Sequence, residues 1–350
     1  MGVPEGAGAS VKDSRLRSAV RMFAATLFAL PLGGAARTMS AQTHLVIVSG
    51  LGGEKKYSDE FNTLSSALAE AATKKFGIPD SDVVWLGEDS VSKLPHFGGQ
   101  STKANVERAI DQAAARAGSG DQVAIVLIGH GSGEGADTKI SIPGPDIDAS
   151  DFAKLLAKFP TQKVAFVNLT SASGDMLPLL AAPNRVIITA TKSSFERNES
   201  HFAQFFVDAL TKGGADTDKD GRVSMLEAFR YAEVETKRVY DDDSRLQTEH
   251  AQLDDMGAKT GVDNPDGRTG EGVLARRFFL DGTFATRAGA NDPQLAALYK
   301  DKFALEDQVD QLRAKKASMT PDAYDDALEA VLVQLARKAK SIREIEGGKS

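Results

Sequence analysis

Residues 122–131 read QVAIVLIGHG: six apolar residues in succession, then a histidine held between two glycines. A strand with one wet face alternates polar and apolar residues. An unbroken apolar run is expected where both faces are covered, which is the condition of a parallel sheet. Four further runs are of the same kind: THLVIVSG (43–50), DVVWLG (82–87), KVAFVNLT (163–170) and NRVIITAT (184–191). Amphipathic stretches such as FNTLSSALAEAATKKFG (61–77) lie between them, so the pattern is that of βαβ units. VLARRFFLDG (273–282) reads as a sixth strand near one edge. The expected fold class is therefore α/β, a mostly parallel six-stranded sheet flanked by helices, within a domain spanning 42–285.

The 350 residues are 41% hydrophobic and 26% charged, with no cysteine and a net charge of −7. That composition suits a globular chain that builds its core without disulfides, and it excludes thiol catalysis and cysteine-ligated metals. No lysine- and arginine-rich stripe with interleaved aromatics is present, so nucleic acid is not an expected partner. Residues 1–41 place Lys12, Arg15, Arg17 and Arg21 before MFAATLFALPLGGAA, followed by small residues, which is the plan of a secretory signal peptide. Its apolar stretch is shorter than the ~20 residues that span a bilayer. Cleavage after Ala36 or Ala41 would leave no membrane anchor, and the mature chain is expected to be periplasmic or secreted. Loss of 1–41 removes five basic side chains (those four and Arg37) and two acidic ones (Glu5, Asp13), taking the net charge from −7 to −10.

Residues 241–272 are polar and turn-rich, a long surface excursion. Beyond residue 290, Leu295, Leu298, Leu305, Val309 and Leu312 recur at helical spacing. After SMTP, so do Tyr324, Leu328, Val331, Leu335, Ile342 and Ile345. Thr320 and Pro321 suit the start of the second helix. The expectation over 290–347 is an antiparallel α-helical hairpin of coiled-coil type. Its stripes must cover each other, the main domain, or a second copy in a homodimer.

DTDKDGRVSMLE, residues 216–227, carries a denser signal. Calcium takes six to eight oxygens from a short flexible loop. The known twelve-residue solution has carboxylates at positions one, three and five, glycine at six, a backbone carbonyl at seven and a bidentate glutamate at twelve. Asp216, Asp218, Asp220, Gly221, Arg222 (through its carbonyl), Ser224 and Glu227 fill that template in an EF-hand-like loop with helix-like flanks. A structural Ca2+ is the expected cofactor, the competing reading being an acidic turn in which Asp216 or Ser224 caps the next helix.

In an open parallel sheet, ligands and catalytic groups gather at the carboxyl ends of the strands. Here those ends read GLGG, GHGSGEG and TSASG, so His130 and the hydroxyls of Thr170, Ser171 and Ser173 collect on one edge. A histidine leaving a buried strand beside glycines suits a general base, or a hydrogen-bonded structural role. Ser193, Glu196 and Asn198, after the fifth strand, are candidates for the same cleft or for surface turns.

Taken together, IGHGSGEG (128–135), KVAFVNLTSASGD (163–175), FGIPDSDVVWLGED (76–89) and TEHAQLDD (248–255) resemble the legumain-like peptidases of the caspase-hemoglobinase fold. The resemblance covers about residues 43–282 and implies a caspase-like sheet. It places His130 at the family's catalytic histidine and Ser171 at its nucleophilic cysteine, with Gly131 as a candidate oxyanion amide. Gly52 stands where the legumain branch has an asparagine, and Ser58 falls near the arginine that would bind the substrate side chain. A thiol needs little help to ionise, whereas a serine needs a base in direct contact, oriented by a third group. The implied function is an exported legumain-like peptidase homologue without activity, keeping a peptide or protein ligand at the strand ends. The alternative is an active serine-variant hydrolase using Ser171 and His130.

Overall fold

The computed structural model describes residues 1–2, 42–89 and 94–347. The segment read as a signal peptide lies outside the described residues, save its first two. Among the described residues no helix is long and apolar enough to cross a membrane.

In chain order the elements are β1 (Thr43–Ser49), α1 (Lys55–Lys74), β2 (Val83–Gly87), β3 (Phe97–Gln100), α2 (Lys103–Arg116), β4 (Gln122–Ile128), β5 (Gly131–Ser132), β6 (Lys139–Ile140), β7 (Ile147–Asp148), α3 (Ala149–Leu156), β8 (Lys163–Asn168), α4 (Leu177–Leu180), β9 (Arg185–Thr189), α5 (Phe202–Thr211), α6 (Met225–Asp242), β10 (Gln252–Asp254), α7 (Phe284–Ala288), α8 (Pro293–Lys315) and α9 (Pro321–Gly347). The α/β class is as expected. The main sheet has seven strands in the order β10-β9-β8-β4-β1-β2-β3, all parallel except β10. A small antiparallel sheet, β5-β6-β7, follows His130 directly.

The unbroken apolar runs divide by parity. In β4, Ala124, Val126 and Ile128 join the core under α1, α5 and α6, with Phe61, Leu68, Phe206 and Phe229. Val123, Ile125 and Leu127 face the opposite layer, packed with Ile110 of α2, Phe152 of α3 and Leu180 of α4. Full burial of each valine, leucine, isoleucine or phenylalanine among these contributes ~1.5–3 kcal/mol from removal of its surface from water. Caps fix where the helices begin. Thr102 accepts the Asn105 N–H before α2, and Asp292 accepts the Gln294 and Leu295 N–H groups before α8, whose first residue is Pro293.

Two features of the sheet differ from the sequence expectation. Residues 273–282 do not form a strand. Ala275–Arg277 make one 3₁₀ turn, and Phe279 forms only an isolated bridge with Ser224. Ala275, Phe278 and Leu280 bury themselves against the α6 side of the core from this irregular segment, so apolarity here reports packing rather than pairing. The edge beside β9 is instead the three-residue β10, and β3, FGGQ, adds the opposite edge.

The C-terminal hairpin is α8 and α9. Leu295 and Tyr299 pack with Ile342, and with Ala285 of α7. The Tyr299 hydroxyl donates to Glu346 Oε1 at 2.6 Å.

Candidate functional site

β4 and β8 are adjacent and parallel, so their carboxyl ends deliver His130 and Ser171 to one edge. Both line a narrow cleft with Tyr57, Glu60, Phe61 and Glu199, whose free space is about that of one water. The His130 ring stands edge-on to Tyr57, with centroids 4.8 Å apart, and to Phe61 at 5.1 Å. Among the described residues, no side-chain hydrogen bond joins it to Ser171. Ser171 is buried, and its Oγ accepts the Gly131 N–H at 3.2 Å. The amide expected to serve an oxyanion is thus engaged with the hydroxyl itself.

The local sequence explains this closeness. A Cβ on Gly131 would run into the Ser171 carbonyl oxygen and the Thr170 hydroxyl, so only glycine lets the two strand ends meet. Ala172 follows with φ +52°, an uncommon conformation for a residue bearing a Cβ, and its N–H donates to the Glu196 carbonyl at 2.8 Å.

The other hydroxyls have structural work. Thr170 Oγ1 donates to Asn168 Oδ1 at 2.8 Å. Ser173 and Thr191 exchange hydrogen bonds across the ends of β8 and β9: the Ser173 N–H donates to Thr191 Oγ1 at 2.7 Å, and the Thr191 N–H to Ser173 Oγ at 3.2 Å. Of the three candidate hydroxyls, Ser171 alone is brought to the cleft beside His130. Gly52 has no room for a side chain, because its Cβ would strike Ser58; Gly52 N–H and Ser58 Oγ both donate to Glu88 Oε2, at 3.2 and 2.6 Å.

Ser193, Glu196 and Asn198 do not line the cleft. Glu196 Oε1 instead lies 2.5 Å from His250 Nδ1, tying the segment after β9 to the one before β10. The cleft carboxylates Glu60 and Glu199 were not singled out from sequence. Burial, reinforced by Glu199, raises the Glu60 pKa above the usual range, and the Tyr57 hydroxyl donates to Glu199 Oε2 at 3.3 Å. The one available signal was that Glu60 follows Tyr57 by three residues on α1, and so shares its face.

A second candidate site is the 216–227 loop between α5 and α6. Asp216, Asp218 and Glu227 each offer a carboxylate oxygen, and these oxygens lie within 4.8 Å of one another. Asp216 accepts the Asp220 and Gly221 N–H groups at 3.1 and 3.0 Å, and Gly221 turns the chain at φ +91°. Glu227 Oε1 accepts the Thr217 N–H at 2.9 Å, and its Oε2 accepts the Ser224 N–H at 2.9 Å. Ser224 is the N-cap of α6, with its side chain accepting the Glu227 N–H in a reciprocal capping box. Burial and then the neighbouring carboxylates Asp220, Glu227 and Asp216 push Asp218 up to about 6.

Asp220 stands outside the converging group. Its Oδ1 accepts the Arg222 backbone N–H at 2.8 Å, and its Oδ2 takes both Nε and Nη2 of Arg222 at 3.2 and 2.7 Å. The donor set still fits a hard cation: three oxygens converge without a positive charge among them, on a loop with the required sharp turn.

No protein-family model matches the sequence, and no curated protein matches it. Structural comparison finds a Geobacter sulfurreducens protein, GSU0716 (12% identity, TM-score 0.40, covering 68% of this chain and 97% of that one). It also finds a secreted C11 cysteine protease from Bacteroides thetaiotaomicron, determined with an irreversible peptide inhibitor (11%, 0.36, 61% and 66%). A third is the Drosophila initiator caspase Dronc (10%, 0.36, 71% and 91%).

Proposed function

We propose that this chain is an exported, legumain-like peptidase homologue of the caspase-hemoglobinase class that has lost its hydrolytic chemistry. It keeps the strand-end cleft for a peptide or protein ligand and holds a structural Ca2+ in the 216–227 loop. The observation that carries this reading is the pairing at the sheet edge. Ser171 occupies the position that the motif resemblance gives to the nucleophile, yet its hydroxyl accepts from Gly131 while the His130 ring rests against Tyr57 and Phe61. A serine nucleophile requires its base in hydrogen-bond contact.

The test is labelling of the folded protein with a fluorophosphonate, followed by intact mass measurement. No adduct is expected. An adduct mapped to Ser171 would establish the serine hydrolase instead. Calcium titration of chelator-treated protein, followed by thermal melting, tests the loop: millimolar calcium is expected to raise the melting temperature. Mass measurement of the mature N-terminus tests export, with cleavage after Ala36 or Ala41 the expected result. Sedimentation of the same sample tests dimerisation through α8 and α9.

A further inference from the structure

Arg222 belongs to the carboxylate loop by sequence but to the C-terminal helices by packing. Its guanidinium is sandwiched between two rings, with Cζ 3.7 Å from the Phe279 centroid and 3.5 Å from that of Phe303 on α8. The side chain is 9% exposed, and Nη2 sits 2.7 Å from Asp220 Oδ2 and 3.7 Å from Glu306 Oε2, also on α8. The neighbouring loop residue is covered as well: a Cβ on Gly221 would lie 2.6 Å from the Phe284 ring. Phe284 meets Tyr299 edge-on at 5.1 Å, and Tyr299 reaches Glu346 on α9. A continuous set of contacts therefore runs from the loop to the last helix.

We propose that Arg222 is a built-in competitor for the cation loop. By gripping Asp220 it withholds one carboxylate from the ion, and by bearing on Phe303 and Glu306 it links ion occupancy to the docking of α8 and α9. The inference rests on the calcium reading given above. Its geometric basis is that Asp220, alone among the four loop carboxylates Asp216, Asp218, Asp220 and Glu227, is held by a guanidinium rather than gathered with the others. Arginine holds a carboxylate through a rigid fork, with two N–H groups on one acceptor here, a grip that lysine does not reproduce.

The direction of the linkage follows from the remaining acceptors. When the loop draws Asp220 inward, two carboxylates remain near the guanidinium: Asp281, which Arg287 already holds, and Glu306. Glu306 Oε1 lies 3.0 Å from Lys302 Nζ, while its Oε2 faces Arg222 at 3.7 Å and is the oxygen open to it. A cavity of about 520 Å³ bordered by Arg222, Phe303 and Glu306 leaves the guanidinium room to shift. Occupancy thus strengthens the tie to α8, and by reciprocity a docked hairpin strengthens ion binding.

Calorimetric titration of calcium into the full, chelator-treated chain tests this, using wild type, Arg222→Lys, Arg222→Met and Asp220→Asn. Hydrogen exchange over 293–347, with and without calcium, provides the second readout. Both Arg222 variants are expected to bind calcium more tightly, by about fivefold or more. Arg222→Lys is decisive because it keeps the charge and loses the fork. Calcium is expected to slow exchange in α8 and α9 of the wild type and to leave Arg222→Met unchanged. Wild-type affinity in Arg222→Lys, or hairpin exchange indifferent to bound calcium, would overturn the competition while leaving the calcium site standing. Absence of binding in all four proteins would overturn the calcium reading and this inference together. Tight binding in the Arg222 variants with none in the wild type would support both.

Discussion

The Gly131 N–H donates to Ser171 Oγ at 3.2 Å, so this hydroxyl is a structural acceptor at the junction of β4 and β8. Ser171→Ala is therefore expected to cost stability, because it leaves that amide without its acceptor. The expected loss is about 1–3 kcal/mol, read from urea denaturation. A neutral effect would show that water replaces the hydroxyl freely.

Gly131→Ala is expected to be at least as damaging. The added methyl would meet the backbone carbonyl of Ser171, which has no flexible end to move aside. Overpacking of this kind costs about 1–3 kcal/mol. It should lower the urea midpoint and disturb the β5-β6-β7 sheet that begins at this residue. A midpoint unchanged from wild type would mean that the two strand ends are not in contact.

Placing at Gly52 the asparagine that the motif resemblance would put there, Gly52→Asn, is expected to destabilise rather than activate. The new Cβ would strike Ser58, breaking the hydrogen bonds that Gly52 and Ser58 share on Glu88. Denaturation midpoints and peptide turnover, measured on the same sample, check both halves. A stable protein that cleaves peptide would contradict the expectation.

A pH dependence follows from α6. Burial, with the nearby Asp263, raises Glu233 from its ordinary 4.5 to about 8. Between those values the folded chain keeps a proton that the unfolded chain has released, so this group's contribution to stability is full at acid pH and falls as pH rises through the window. Burial raises Glu271 to about 7, which adds the same sign over a narrower range. Urea midpoints measured from pH 5 to about pH 9 should therefore decline, and Glu233→Gln should flatten the upper part of the decline. An identical slope in the variant would exclude Glu233 as the source.

The strands that were legible in the sequence are those whose apolarity is continuous because helices cover both faces. β4, with alternate residues in two separate cores, is the clearest. The two edge strands were not legible for opposite reasons. β3 carries Gly98 and Gly99 in a four-residue run, and β10 is three residues of a polar excursion whose pairing with β9 is set by tertiary contact. Residues 273–282 misled because Phe278 and Leu280 are as apolar as any strand residue, yet bury from an irregular backbone. At the candidate site, the rule of strand ends located His130 and Ser171. The Gly131 to Ser171 hydrogen bond could not be read, since it depends on the distance between two loops. Asp220 illustrates the same limit: its position in the template is local, but Arg222 is held over it by Phe303, 81 residues further on in the sequence.

The shortness of β10 has a bearing on how the protein behaves in company. A sheet whose last strand shows bare backbone invites another chain to extend it. Here the Leu253 N–H and carbonyl, which face away from β9, are already taken by Val262 at 2.9 and 3.0 Å, in a loop of the same chain. The surface excursion thus folds back on its own border, and Leu253 offers no free ladder group to a strand from another copy.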